Sequence, residues 1–377
     1  MDALMLLSNW QRVRLGDILT LKHGRDYKKF KLGNIPVYGS GGYMLSINNF
    51  LHNGESVCIG RKGTIDKPIY LNGKFWVVDT LFYSYSFKKS IPKFIFYAFS
   101  IIKWSNYNEA TGVPSLTKMT ISNIEIPLPP LNEQIAIANI LSDVDHYLYT
   151  LDALILKKES VKKALSFELL SQRKRLRSFN QNWQRVRLGT YKYRRGSFPQ
   201  PYGNPQWYSD NGMPFVQVYD VGENFKLNQK TKQKISKIAQ PMSVFVPKNS
   251  VIITLQGTIG RVALTQYDCY CDRTILIFDN NTLNGVNKYF FVLSLFTKFE
   301  EEKRKADGSI IKTITKQTLK DFEILLPPLN EQIAIANILS DVDSEIISLK
   351  NKKRQFENIK KALNHDLMSA KIRVLKK

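Results

Sequence analysis

Apolar residues recur at alternating steps of four and three through Ile137, Leu141, Val144, Leu148, Leu151 and Ile155. The spacing returns through Ile335, Leu339, Val342, Ile346 and Leu349, after which Lys353 interrupts it and Phe356 resumes it. Such alternation keeps one apolar stripe on one side of a helix, the pattern of a coiled-coil seam. Pro129-Pro130 cannot lie inside a helix, so the pattern predicts a start just after them. Asn132 is then the expected N-cap, and Glu133 favours the positive end of the helix dipole. Neither stretch meets a Gly or Pro for about 40 residues, which makes a rod of about 60 Å. Two such rods bury their stripes best against each other. Because each follows its own domain, antiparallel packing is expected. Elsewhere the pattern reads as strands: ESVCIGRKGTI, KPIYLNGKFWVVDTLFYSY, SVIITLQGTIGRVAL and DRTILIF are rich in Val, Ile, Tyr and Phe and punctuated by Gly. PKFIFYAFSIIKW and NKYFFVLSLFTKF predict one further helix per half, with their aromatic faces in the core.

The seams belong to an internal repeat. LPPLNEQIAIANILSDVD stands at Leu128–Asp145 and again, letter for letter, at Leu326–Asp343, 198 residues on. NWQRVRLG stands at Asn9–Gly16 and at Asn182–Gly189, an offset of 173, so the second unit is 25 residues longer between its anchors. Most of the excess falls early, around PQPYGNPQWYSDNG. Ser56-Val57 and Gly63-Thr64-Ile65 match Ser250-Val251 and Gly257-Thr258-Ile259 inside otherwise dissimilar sequence, so one framework carries two different surfaces. The expected fold class is α+β, with two β-rich mixed domains related by pseudo-two-fold symmetry and separated by two long antiparallel coiled-coil helices. The expected division is 1–128 and 179–326 for the domains, 129–178 and 327–377 for the helices.

Charge changes the picture. Lys and Arg number 55 against 32 Asp and Glu, a formal charge of +23 with a pI near 9.7, and the surplus runs through both halves. A field of that kind implies a polyanionic partner, nucleic acid first. Three cysteines make no disulfide framework and point to a reducing compartment, the cytoplasm. Cys269-Tyr270-Cys271 lacks a second ligand pair, so no metal is expected. MDALMLL is too short for a signal sequence, and no apolar run is long enough to span a membrane.

The usual catalytic signatures are missing. An adenine methyltransferase needs an Asn/Asp-Pro-Pro-aromatic motif to hold a flipped base, and the Pro-Pro pairs here lie in LPPL. There is no Walker A sequence, and YGSGGYM is not a dinucleotide fingerprint. Gly60-Arg61-Lys62-Gly63 matches the short loop of a KH domain, but its flanks read as strands. Asp66, Asp79 and Glu125 could be grouped as a nuclease cluster, yet the second half does not repeat the set. No cofactor is expected.

A variable domain followed by IPLPPLNEQIAIANILSDVD and a long helix ending KKALSFELLSQRKRLRSF, then the same unit ending KKALNHDLMSAKIRVL, resembles the specificity subunit of Type I restriction–modification systems. YGSGG at Tyr38–Gly42 and GRKGTI at Gly60–Ile65 resemble segments of that family's target-recognition domains; the second half has PFVQVYDVG instead of the former. The resemblance implies a subunit without catalysis of its own, each domain reading one half of a bipartite site in double-stranded DNA. It implies helices that set the gap and dock two DNA adenine methyltransferase subunits, with ATP-dependent translocase–nuclease subunits added. The alternatives are a self-contained methyltransferase or nuclease, and a coiled-coil scaffold whose domains bind proteins.

Base reading calls for Arg, Lys, Asn or Gln on loops. The first half offers Arg61, Lys62 and Lys67 around its GTI landmark, then Thr117 and Lys118 ahead of the strand into the helix, with Ser40 on the glycine loop for a backbone or phosphate contact. The second half offers Gln256 and Arg261, then Lys312, Thr315 and Lys316. At the GTI landmark Arg61-Lys62 faces Leu255-Gln256.

Overall fold

The computed structural model describes residues 9–222, 224–256, 260–305 and 316–374, with the backbone alone at 305 and 316. They form two compact units, Met1–Leu154 with Leu349–Lys377, and Ile155–Ser348. The first contains strands β1 (Gln11–Arg14), β2 (Thr20–His23), β3 (Leu32–Gly39), β4 (Gly42–Ile47) and β5 (His52–Asn53). After these come β6 (Ser56–Gly60), β7 (Ile69–Leu71), β8 (Lys74–Val77), β9 (Leu81–Tyr85) and β10 (Glu125–Leu128). Its short helices are α1 (Leu15–Ile18), α2 (Pro92–Ile101) and α3 (Lys118–Asn123), and the long α4 runs Leu131–Leu170.

Two four-stranded sheets make the body of this unit, in the orders β2-β9-β6-β7 and β4-β3-β8-β5, with β3 and β8 parallel. All five residues of β6 are buried, because both of its faces are covered. Val57 and Ile59 point to one side, against Phe94, Ile95 and Phe99 of α2. Cys58 points to the other, against Phe75, Val77 and Leu81. Side chains that alternate across a strand thereby serve two cores, which is why SVCIG has no polar face. The continuous strand reading of KPIYLNGKFWVVDTLFYSY divides into β7, β8 and β9, with Gly73 at φ +94° making the first turn.

The second unit has β11 (Gln184–Arg187), β12 (Tyr193–Arg195), β13 (Tyr208–Val216), β14 (Gln233–Ile235) and β15 (Val244–Val246). It continues with β16 (Val251–Thr254), β17 (Val262–Leu264), β18 (Cys269–Cys271), β19 (Ile275–Phe278) and β20 (Glu323–Leu326). Its helices are α5 (Lys288–Lys305) and α6 (Lys316–Asp321), followed by α7 (Leu329–Met368). The sheet orders β12-β19-β16-β17 and β14-β13-β18-β15 repeat those of the first unit strand for strand. Val251 and Ile253 pack on Phe290 and Phe291 of α5, and Ile252 packs on Val246, Cys269 and Cys271.

The two repeated motifs of each unit bind each other. QRVR pairs antiparallel with EIPL in the first unit, as β1 with β10, and with EILL in the second, as β11 with β20. Trp10 Nε1 donates to Glu133 Oε2 at 3.1 Å, and Trp183 Nε1 donates to Glu331 Oε2 at 3.1 Å. Glu331 also receives Arg175, whose Nη2 lies 2.8 Å from Oε2. Buried Gln134 accepts from Ile91 N and donates to Lys89 O and Pro129 O; buried Gln332 accepts from Asn287 N and donates to Gly285 O and Pro327 O. The N-cap expectation is corrected here. α4 begins at Leu131, and Glu133 N and Gln134 N both donate to Pro130 O, so Asn132 sits inside the first turn. Pro130 presents a carbonyl without needing a donor partner for its own nitrogen.

Within the first unit, α4 and the last part of α7 run antiparallel. Lys360 pairs with Asp145 and Lys353 with Asp152, and Tyr147 meets Phe356 with ring centroids 4.6 Å apart. Within the second unit, Lys158 reaches Glu345 at 2.8 Å and Lys162 pairs with Asp343, again with numbers rising on one helix as they fall on the other. Ile137 and Leu141 lie in the first unit's core beside Leu367 and Met368. Ile335 and Leu339 lie in the second's beside Leu169 and Leu170. Leu151, Ile155 and Ile346 are buried as well; Val144, Leu148, Val342 and Leu349 are half-buried.

Candidate nucleic-acid interface

In the first unit the loop after β6 is shaped by two glycines. A Cβ at Gly60 would stand 2.0 Å from Thr64 O, and Gly63 holds φ +91°, so the chain folds back within four residues. Half-buried Arg61 and exposed Lys62 occupy the middle of that fold. Thr80 joins the surrounding segments: its carbonyl accepts from Arg61 N at 2.8 Å and Lys62 N at 3.3 Å, and its hydroxyl accepts from Ser40 N at 3.3 Å. From the other side Leu116 N donates to Arg61 O at 2.9 Å and Gly63 N to Pro114 O at 2.8 Å. Lys62 also forms an isolated antiparallel bridge with Ser115, so segments far apart in the chain, around Ser40, Arg61, Thr80 and Ser115, meet at one edge. The GRKG segment is a turn off a buried strand.

The Arg61 side chain is held as well. Its Nε donates to Asp79 O at 2.6 Å and its Nη2 stands 3.7 Å from Asp79 Oδ2. Asp79 is therefore engaged with a guanidinium. Among the described residues no three His, Cys, Asp or Glu side chains are placed to hold a metal ion. Thr117 caps α3: its hydroxyl oxygen accepts from Thr120 N at 3.1 Å, and the hydroxyl donates to Glu109 Oε1 at 2.9 Å. The hydroxyls of Thr120 and Thr117 hold the Glu109 carboxyl below its usual pKa. Lys67 and Lys118 are exposed.

The second unit uses the same place differently. Leu255 N donates to Thr274 O at 2.8 Å, as Arg61 N does to Thr80 O, but the Leu255 side chain is fully buried in the core. Of the pair Leu255-Gln256 only Gln256 faces solvent. Arg261 turns back on its own unit, with its N–H donating to Thr254 Oγ1 at 3.1 Å and Nη1 to Val221 O at 3.0 Å. Lys312, Thr315 and the GTI landmark at 257–259 lie outside the described residues, as does the side chain of Lys316.

Sequence reasoning missed Thr80, and it set Asp79 among possible acids. No local signal marks either; their meaning comes from closures across the sheet. The cysteines are buried and unbonded, and burial pushes the Cys58 thiol up to about 12. Among the described residues no helix is long and apolar enough to cross a membrane.

The model of the Type I restriction modification DNA specificity domain matches residues 7–163 and 201–358. A Methanocaldococcus jannaschii sequence named for the MjaX type I restriction enzyme specificity subunit is 27% identical over 298 residues, 75% of this chain and 68% of its own. The MjaVIII specificity subunit of the same organism is 25% identical over 348 residues, 85% of this chain and 77% of its own. The crystal structure of the S subunit of an M. genitalium type I restriction–modification system matches the fold with a TM-score of 0.66 at 15% identity, covering 96% of each chain. With the family's domain found twice across most of its length, the chain belongs to the Type I restriction–modification specificity subunits.

Proposed function

We propose that this chain reads an asymmetric bipartite site in double-stranded DNA, each target-recognition domain reading one half. The division at 1–128 and 179–326 for the domains, and 129–178 and 327–377 for the spacer helices, is kept as part of this reading. The spacer helices set the unspecified gap and dock two DNA adenine methyltransferase subunits, to which ATP-dependent translocase–nuclease subunits are added. The chain itself does no chemistry, holds no cofactor and works in the cytoplasm. One observation carries the reading: two units with the same strand order and the same Trp–Glu and Gln clamps present unlike side chains at the same loop, Arg61-Lys62 in one and a buried Leu255 followed by Gln256 in the other. A shared frame with different reading groups fits two different half-sites on one duplex. The net charge of +23 fits the phosphates of that duplex.

Co-expression with a neighbouring adenine methyltransferase, followed by mapping of every methylated adenine, tests this directly. Two unlike half-motifs at one fixed gap are expected, and none when the chain is withheld. A single continuous motif, or methyl transfer by the purified chain alone, would overturn it.

A further inference from the structure

Resting on the reading just given, we infer that Arg61 reads a guanine in the half-site of the first unit, and that Asp79 is the positioning residue that aims it. A guanidinium reads guanine by placing two N–H groups against O6 and N7 in the major groove, and it does so best when its plane is fixed beforehand. Here the plane is fixed from one edge. Nε is spent on the Asp79 carbonyl at 2.6 Å, and Nη2 lies 3.7 Å from the Asp79 carboxylate. The end of the fork, formed by Nη1 and the outer N–H of Nη2, meets no other acceptor among the described residues, on a side chain 36% exposed.

The backbone under Arg61 is fixed on both sides as well, by Thr80 O and Leu116 N. An arginine that only neutralised a phosphate would need none of this, since its charge acts over a distance and from many rotamers. Two constraints on the side chain and two on the backbone beneath it mark a group whose direction matters.

The second unit sharpens the inference. The residue that makes the same backbone bond there is Leu255, buried completely, so that half-site cannot be read by a guanidinium at this position. Gln256, next to it, is exposed, and a side-chain amide pairs with adenine N6 and N7. A guanine read from this loop position therefore belongs to the first unit's half-site.

The test uses the full chain with its methyltransferase partner on a library in which every position of the mapped site is varied. Arg61→Ala is expected to lower the preference for guanine at one position on the order of ten-fold. Arg61→Lys keeps the charge and loses the fork, so it should lower the same preference. Asp79→Ala removes the carboxylate beside Nη2 and leaves the carbonyl that holds Nε, so it should relax that position and no other, and by less than Arg61→Ala does. The opposite half-site serves as the folding control in every variant. If Arg61→Lys leaves all guanine preferences intact, or if Asp79→Ala relaxes both half-sites equally, the assignment is overturned. Absence of any two-part motif in the unsubstituted chain would instead remove the proposed function beneath it.

Discussion

At the scale of single residues, the two copies of one motif glutamate carry different loads. Glu133 and Glu331 are both buried in the first turn of a long helix, and each receives a tryptophan N–H. Among the described residues only Glu331 also takes a guanidinium, from Arg175, through bonds of 2.8 Å and 3.3 Å. Arg373, the residue matching Arg175 in the other repeat, donates to Asn9 instead. Removing a buried carboxylate beneath a cation leaves that charge uncompensated, while removing one beneath an indole leaves a neutral donor. Glu331→Ala is therefore expected to cost about 3 kcal/mol, and Glu133→Ala about 1–2 kcal/mol. Urea unfolding of each variant checks the order; equal losses would show that Arg175 adds nothing. The identical letters NEQ at both places gave no hint of this difference, because the arginine comes from a distant segment.

At the scale of elements, each long helix is tied to a domain helix and to its antiparallel partner through one aspartate. Asp145 accepts from Tyr97 of α2 at 2.8 Å and pairs with Lys360. Asp343 accepts from Tyr289 of α5 and pairs with Lys162. Burial, and then the aspartate beside it, raises the pKa of each phenol well above its usual value. The stability that depends on keeping these phenols protonated is complete below about pH 10 and falls as pH rises beyond it, since the unfolded chain ionises there and the folded one resists. Tyr97→Phe and Tyr289→Phe should each flatten the loss of unfolding midpoint as pH rises above about 10. A loss as steep as in the unsubstituted chain would place the alkaline sensitivity elsewhere. The heptad spacing predicted both rods. It did not predict that Ile137 and Leu141, or Ile335 and Leu339, would sit in globular cores. A seam read from periodicity says which side of a helix is covered, and nothing about what covers it.

At the scale of the whole molecule, 55 basic residues against 32 acidic ones make phosphate neutralisation a large part of DNA affinity. Binding should weaken linearly in log salt, and each phosphate no longer neutralised should reduce the slope by about 0.9. Lys67 and Lys118, which the sequence offered as base readers, are exposed and apart from the fixed Arg61; Lys67→Ala and Lys118→Ala are expected to lower the slope while the methylation motif stays unchanged, as phosphate contacts would. The measurement is DNA affinity across a salt series together with the mapped motif; a changed motif would make these lysines readers of bases.

The amino-acid sequence alone determined the duplication, the two 40-residue helices, the α+β class and the family, because a repeat and a heptad are periodic and need no knowledge of tertiary neighbours. Tertiary structure alone decided which repeated motif clasps which, and that Pro130 rather than Asn132 supplies the first acceptor of α4. It also decided that Leu255 is core where Arg61 is surface. These outcomes depend on hydrogen bonds closed between segments dozens of residues apart, as Thr80 closes on Ser40 and Arg61. A local pattern carries no information about such closures, since the groups that make them are ordinary backbone amides and carbonyls until the fold brings them together.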